Sequence, residues 1–217
     1  GNVKMGDKNY LPYRVSGGYI NQDGTLKTSN MERGTLSVNL NPVLLDNHLT
    51  ISLNGKGTIT NNRFANQSAV GEAVRFDPTQ PVYSENGYNG YFSWGANSNA
   101  TSNPVASLND KLDLSNAKRF IGNAQIDYKI HGFEDLRLNL NVGLDYAQSG
   151  GTVDIASGTE MVSKDGDPRG NHSDYSYLRR DQTLEFYGDY FKTLGKHSFG
   201  VMAGYSWQHF YGGNRDV

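Results

Sequence analysis

The sequence predicts an all-β chain, and three observations carry that expectation. Apolar and polar residues alternate with period two over most of its length, helical periodicity is nearly absent, and the connections between alternating runs switch strictly between short and long. Successive side chains of a strand point to opposite faces, so each run makes a ribbon with one apolar and one polar side.

A first strand lies near Tyr13 to Ile20. Leu36, Val38 and Leu40 then alternate with Thr35, Ser37 and Asn39. The clearest run is Leu49 to Thr60: Leu49, Ile51, Leu53, Gly55, Gly57 and Ile59 share one face, and Thr50, Ser52, Asn54, Lys56, Thr58 and Thr60 share the other. Phe120, Gly122, Ala124, Ile126 and Tyr128 oppose Asn123, Gln125, Asp127 and Lys129. Leu136, Leu138, Leu140, Val142, Leu144 and Tyr146 oppose Arg137, Asn139, Asn141 and Asp145. Leu184, Phe186 and Tyr190 oppose Glu185, Tyr187 and Asp189, and Phe199, Val201, Ala203, Tyr205 and Trp207 oppose Ser198, Gly200, Ser206 and Gln208. About seven strands result.

Short connections cover 41–48, 131–135 and 193–197; long ones cover about 21–33, 61–118 and 147–180. In an up-and-down meander alternate connections lie at the same end, so the long loops share one rim and the short turns the other. A water-soluble sandwich, which would hide its apolar face under a second sheet, has no reason for that asymmetry. An outer-membrane barrel has one: it turns its apolar face to lipid and its polar face to a wet lumen, with short periplasmic turns and long extracellular loops. Strand length agrees, because runs of ten to twelve alternating residues match the roughly 9–11 needed to cross a bilayer at a tilt. In the last strand Phe199 and Trp207 stand about 19 Å apart along the membrane normal, near the height of an aromatic-girdled band. Seven strands do not close a bacterial barrel, which takes an even number, so the expectation is part of a transmembrane antiparallel up-and-down β-barrel.

Composition narrows the function classes. The 217 residues hold 20 basic and 22 acidic side chains, which leaves no electrostatic footprint for nucleic acid. Apolar stretches are no longer than Val43-Leu44-Leu45, which excludes membrane-spanning helices. The absence of cysteine removes disulfides, thiolate zinc sites and cysteine nucleophiles. Residues 1–217 begin without a leader and stop in loop-like composition, which is the expectation for a chain whose signal peptide has been removed or for an internal piece of something longer.

Particular segments carry a family likeness. Tyr13-Arg-Val-Ser-Gly-Gly-Tyr19, Asp23-Gly24 with Leu26-Lys-Thr-Ser-Asn30, Arg63-Phe64, and Phe76-Asp-Pro-Thr-Gln-Pro-Val-Tyr83 come first. Asn103-Pro-Val-Ala106 and Phe120-Ile-Gly-Asn-Ala124 follow in the same order. Together, over roughly Tyr10 to Tyr211, the chain resembles the early barrel of SusC/RagA-type TonB-linked outer-membrane transporters. The resemblance implies a barrel of about 22 strands, an N-terminal plug, and energy from the TonB complex. It also implies a SusD-like surface lipoprotein as a lid, and import of oligosaccharides or peptides across the bacterial outer membrane. No plug or TonB-contacting box is found in residues 1–217, so these are expected to form a partial barrel domain.

The 61–118 loop holds the candidate site. Asn66 to Phe76 is expected to form a short helix grouping Ala69, Val70, Ala73 and Val74. Tyr83, Tyr88, Tyr91, Phe92 and Trp94 follow, interleaved with Asn86, Gly87, Asn89 and Gly90. Rings beside amides suit sugars, which stack an apolar ring face while their hydroxyls meet amide groups. The other reading, and the leading one, is that these rings pack the loop or meet the lipoprotein. Asp77, before Pro78, joins these rings as a candidate for substrate or partner binding and is also expected to set a turn. Glu185, Asp189, Asp127, Lys129, Arg137 and Asp145 are expected to face the lumen as a hydrated wall.

Other signals are weaker. Lys164-Asp-Gly-Asp167 echoes a calcium loop without its remaining ligands and reads as a surface turn. The five histidines, His48, His131, His172, His197 and His209, read as solvated residues without zinc spacing. Asn66, Asn99 and Asn171 fit a glycosylation rule that matters only in a eukaryotic secretory setting. Glu72, Asp77 and Glu85 are the loop candidates for glycoside hydrolysis, and nothing pairs them. No enzyme, cofactor or metal is expected. The alternative function is a soluble carbohydrate-binding β-sandwich that uses the Tyr/Trp loop.

Overall fold

The computed structural model describes residues 1–4, 10–95, 98–163 and 169–216, without the side chains of residues 215 and 216. Its strands are β1 (Asn2–Lys4), β2 (Tyr10–Asp23), β3 (Asn30–Leu40), β4 (Val43–Leu44), β5 (Leu49–Phe64), β6 (Tyr83–Tyr88), β7 (Lys111–Lys129), β8 (Leu136–Ile155), β9 (Asn171–Leu194) and β10 (His197–Asp216). Three short helices, α1 (Ser68–Arg75), α2 (Pro104–Asn109) and α3 (Glu160–Ser163), lie in connections. One antiparallel sheet runs in the order β1-β2-β3-β5-β7-β8-β9-β10, with β4 bridging β2 and β5. Each long strand pairs with the next long strand in the chain, as an up-and-down meander requires.

At one end the turns are tight. Gly195, at φ +62°, begins a two-residue hairpin between the paired Leu194 and His197, a position that favours glycine. Leu45, Asp46 and Asn47 all have positive φ, which Asp and Asn tolerate and Leu does not welcome. At the other end lie the connections 65–110 and 156–170. The connection expected over 21–33 is shorter, because β2 runs to Asp23 and β3 starts at Asn30. The side-chain amide of Asn30 donates to Asn21 and to Asp23, both at 2.8 Å, and holds the polar ends together. β9 has 24 residues, about 80 Å of chain, so even when tilted it outruns a hydrocarbon core of roughly 30 Å. Beyond the core the outward residues become polar, which is why alternation marked only the middle of each strand.

The two faces have different neighbours. Among the described residues the only buried apolar side chains are Ala69 and Ala106, both in helices of the 65–110 connection. The apolar face of the sheet stays open, with Val15 at 60% and Leu36 at 57% exposed. A sandwich would cover this face with a second sheet, and the described residues form no such layer. A face this large and apolar is built for hydrocarbon.

The register supplies the tilt. On β2 the outward apolar row ends at Tyr19, and on β3 and β5 it ends at Gly34 and Ile59 in the same hydrogen-bonded row. On β10 it ends at Trp207, whose row runs back through Leu184, Val142, Ala124, Leu53 and Leu40 to Tyr13. The boundary therefore drops six residues, from Tyr19 to Tyr13, about 20 Å over six strand spacings of about 4.8 Å. That slope is a strand tilt of about 35°, within the range of outer-membrane barrels.

At the short-turn end His48 links two turns. Its Nδ1 lies 2.9 Å from the Leu45 carbonyl oxygen and its Nε2 lies 3.1 Å from Oε1 of Glu134, while the His131 ring stands 4.3 Å away. Both ring nitrogens face acceptors, which only imidazolium satisfies fully. The Glu134 carboxylate first, and then the Leu45 carbonyl, raise the His48 pKa.

Two outcomes follow from this architecture. Leu140→Arg, on the outward face at mid-strand, is expected to cost about 2–4 kcal/mol of folding stability in bilayers, while Asn141→Arg, on the polar face, costs much less. Urea titration of the liposome-embedded barrel reads the difference. His48 is expected to titrate above 6.5 by NMR, and Glu134→Gln brings it back toward that value. Because the folded value is the higher one, the link stabilises below the unfolded value of about 6.5 and is lost as pH rises through the folded value.

Candidate functional site

The 65–110 connection is held by amides. The Asn66 side chain accepts from the backbone N–H and the hydroxyl of Ser68, at 3.2 and 2.9 Å, and starts α1. The expected apolar group on α1 does not form: Ala69 is buried and Glu72 half-buried, while Val70, Ala73 and Val74 face outward. In an eight-residue helix the i, i+3 pair Ala69 and Glu72 takes the inner side, which leaves the Val70/Val74 pair outside.

Asp77 closes the next turn. Its Oδ1 accepts from the Thr79 backbone N–H at 2.9 Å and the Thr79 hydroxyl at 2.8 Å. The backbone bond first, then the hydroxyl, lowers its pKa. With that oxygen engaged locally, Asp77 is a turn residue, as its sequence context suggested.

A hairpin follows. The Ser84 N–H donates to the Gly90 carbonyl and the Phe92 N–H to the Val82 carbonyl, at 3.0 and 3.1 Å. Asn89 and Gly90 turn it at φ +47° and +80°. At Gly87 a Cβ would sit 1.7 Å from the Tyr91 carbonyl oxygen, so only glycine fits that approach. Asn103, only 1% exposed, anchors the hairpin to α2. Its amide donates to the Val82 carbonyl at 2.7 Å and to the Phe92 carbonyl at 3.4 Å, and its Oδ1 accepts from the Val105 N–H at 3.0 Å as helix cap. The Asn89 amide donates to Asp110 at 2.7 Å, and burial raises the Asp110 pKa against that bond. The Asn109 amide donates to the Tyr91 hydroxyl at 2.9 Å. Asn103 and Asp110 escape sequence reasoning as site residues; the one signal is an Asn directly before Pro at a helix start.

The hairpin gathers the expected rings. Phe92 meets Phe76 and Trp94 edge-on at centroid distances of 6.3 and 5.2 Å, and Tyr91 lies 5.5 Å from Tyr83. Tyr88 bridges to Tyr91 through the backbone. Tyr88, Tyr91 and Phe92 are half-buried, whereas Tyr83 is 65% and Trp94 39% exposed. The cluster thus has packed members that shape the loop and two rings left exposed.

The polar face of the sheet carries a ladder of side chains. Asn123 donates to Asn141 at 2.5 Å, Asn141 to Glu185 at 3.0 Å and Asn139 to Asp127 at 3.2 Å. Arg119 grips Asp145 with two bonds of 2.9 and 2.6 Å. Asp127, Asp145 and Glu185 are therefore tied into the wall. Two histidines also meet carboxylates: His48 lies beside Glu134 of the neighbouring turn, and His172, still 60% exposed, stands between Asp154 on the paired strand and Asp174 two residues along its own. Among the described residues no group of three or more His, Asp or Glu side chains is arranged to hold a metal ion. The 164–167 calcium-loop echo lies outside the described residues.

No family model matches the sequence. Among characterised proteins, the TonB-dependent receptor SusC of Bacteroides thetaiotaomicron is 36% identical over 96% of the chain. The TonB-dependent receptor P3 of Formosa agariphila is 26% identical over 90% of it. The chain spans 22% of SusC and 20% of P3. In fold, it superposes on the RagAB peptide importer with a TM-score of 0.69 in the open-open state and 0.70 in the closed-closed state. Both cover 96% of the chain and about a quarter of the solved chain, at 16% identity. Sequence likeness over nearly the whole length, with the same strand architecture, places the chain among the SusC/RagA-type TonB-dependent receptors of the outer membrane, as a section of their β-barrel.

Proposed function

We propose that residues 1–217 form part of the wall of an importer that carries oligosaccharide or peptide across the outer membrane. In this reading the long-loop end faces the outside and the polar face lines the lumen around a plug moved by the TonB complex. A SusD-like surface lipoprotein closes over the extracellular mouth. The protein supplies a route and a binding surface and does no covalent chemistry; the named relatives are receptors and importers. The soluble sandwich alternative has no support, since among the described residues no protein layer lies over the apolar face of the sheet.

One observation carries the reading: a hairpin braced by Asn103 holds Tyr83 and Trp94 exposed at the long-loop end of a lipid-faced wall. Their faces suit a sugar ring or an aromatic or apolar peptide side chain, while Asp77, Tyr88, Tyr91 and Phe92 shape the loop that presents them.

In the complete transporter, Tyr83→Ala with Trp94→Ala is expected to weaken cargo binding by about 1–2 kcal/mol, a five- to thirty-fold rise in Kd. Calorimetry against panels of defined oligosaccharides and defined peptides measures it, and unchanged affinity for every binding probe would refute direct contact. Asn103→Ala removes the donor to the Phe92 carbonyl and the acceptor of the Val105 N–H, and leaves the Val82 carbonyl with the Phe92 N–H alone. It is expected to cost the loop about 1–3 kcal/mol, read as lost hydrogen-exchange protection over residues 82–94 with the strands unaffected.

A further inference from the structure

The lipid-facing side of the sheet has a concavity that cargo transport does not use. Near the long-loop end of the apolar band, outward-facing Gly17, Gly34 and Gly57 form the floor of a groove of about 800 Å³ walled by Tyr19, Leu36, Ile59, Phe120 and Tyr146. A Cβ added at Gly34 or Gly57 would meet no atom within 4 Å, so the space above the floor is open. The Phe120 ring leans over Gly122 and Gly55, and beyond it the same face continues into a second hollow of about 400 Å³ along Val38, Leu53, Ala124 and Val142. From the Ile59 row to the Leu53 row the trough runs six residues, about 20 Å along the strands. At a tilt of 35–45° that is roughly 15 Å of depth, half of the hydrocarbon core and therefore one leaflet.

The upper edge is cationic. Lys118 shares a row with Ile59, faces outward and is exposed. Arg180 continues the row of Phe120 and Tyr146, with its guanidinium 5.8 Å from the Tyr211 ring centre. The register puts the two about 12 Å apart, two strands over and one outward step down. Farther out, beyond the Lys118 row, the outward charges are Asp23 on β2, Glu32 on β3, Arg63 on β5 and the group Asp154, His172 and Asp174 on β8 and β9, in which the histidine meets both carboxylates. Among the described residues no ion pair engages Lys118 or Arg180. Two free cations above a leaflet-deep apolar trough match a lipid with phosphate at its head and several acyl chains below it.

We propose that this trough is a binding site for a phosphorylated, multiply acylated glycolipid of the outer leaflet, lipid A in chemical class. Acyl chains lie on the glycine floor and between the aromatic walls, and Lys118 and Arg180 hold the phosphate. The glycines serve as seats for chains, since a larger residue would fill the groove without disturbing the ladder.

The complete transporter, purified and stripped of lipid by detergent exchange, is placed in phosphatidylethanolamine nanodiscs seeded with lipid A or with dephosphorylated lipid A. Native mass spectrometry of the re-extracted protein counts the glycolipid retained. Gly34→Leu with Gly57→Leu is expected to lower retention of both glycolipids about tenfold. Lys118→Ala with Arg180→Ala is expected to lower retention of the phosphorylated form about tenfold and to leave the dephosphorylated form unchanged. Equal retention by the wild type and the Lys118/Arg180 variant overturns the proposal. So does phosphatidylethanolamine retained as strongly as lipid A, which marks ordinary boundary lipid. Should the leucine variant fail to fold, by heat-shifted gel migration, the lysine–arginine pair decides on its own.

Discussion

Hydrocarbon offers the peptide backbone no hydrogen-bond partner, and the rest of this structure follows from that constraint. Every N–H and C=O in the bilayer must be paired between strands, so the sheet is continuous, antiparallel and hydrogen-bonded from β2 to β10. A sheet under that constraint has no protein core to bury: its apolar side chains meet lipid, and its polar side chains meet water and each other. The same demand applies to the far edge of β10, which needs a further strand beside it in a membrane.

The constraint also sorts polar chemistry by location. Inside the barrel wall, amides and carboxylates bond across neighbouring strands, as in the run Asn123, Asn141 and Glu185. Outside the membrane, where the backbone leaves the ladder, the same residue types do the work the ladder did. Asn103 satisfies two carbonyls of the aromatic hairpin and caps α2, and Asp77 satisfies its own turn. The exposed rings of Tyr83 and Trp94 are held in place by this polar framework, since among the described residues of the loop the only buried apolar side chains are two alanines. Loop order and the exposure of these two rings are thus one property.

Tilt joins the wall to its surroundings. Because the hydrogen-bonded rows climb relative to the membrane, residues in one row sit at different depths. Tyr13 on β2 lies within the apolar band, while Trp207 in the same row marks its upper limit on β10. A groove on the outer face is therefore bounded by rows that no single strand displays, and so Gly17, Gly34 and Gly57 come together from three separate segments.

The alternation of Leu49 to Ile59, or of Leu136 to Tyr146, was enough to establish strands and their two faces, and the switching of short turns and long loops pointed to the medium each face meets. Period-two patterning is a local record of a side chain's environment, and it survives without knowledge of the partner strand. Strand ends were less legible: β2 and β3 extend through Asn21–Asp23 and Asn30–Arg33, where polar residues pair as well as apolar ones and leave no contrast. The loop was half legible. Its aromatic content and its turn at Asp77 could be read in place, but the inner side of α1, the role of Asn103 and the split between packed and open rings depend on segments some twenty residues apart. Sequence by itself determined the fold class, the orientation of each strand face and the family. Tertiary structure alone decided which amides brace the hairpin, how far the strands tilt, and which outward glycines share a groove, because these depend on register and contact between distant segments and no periodicity encodes them.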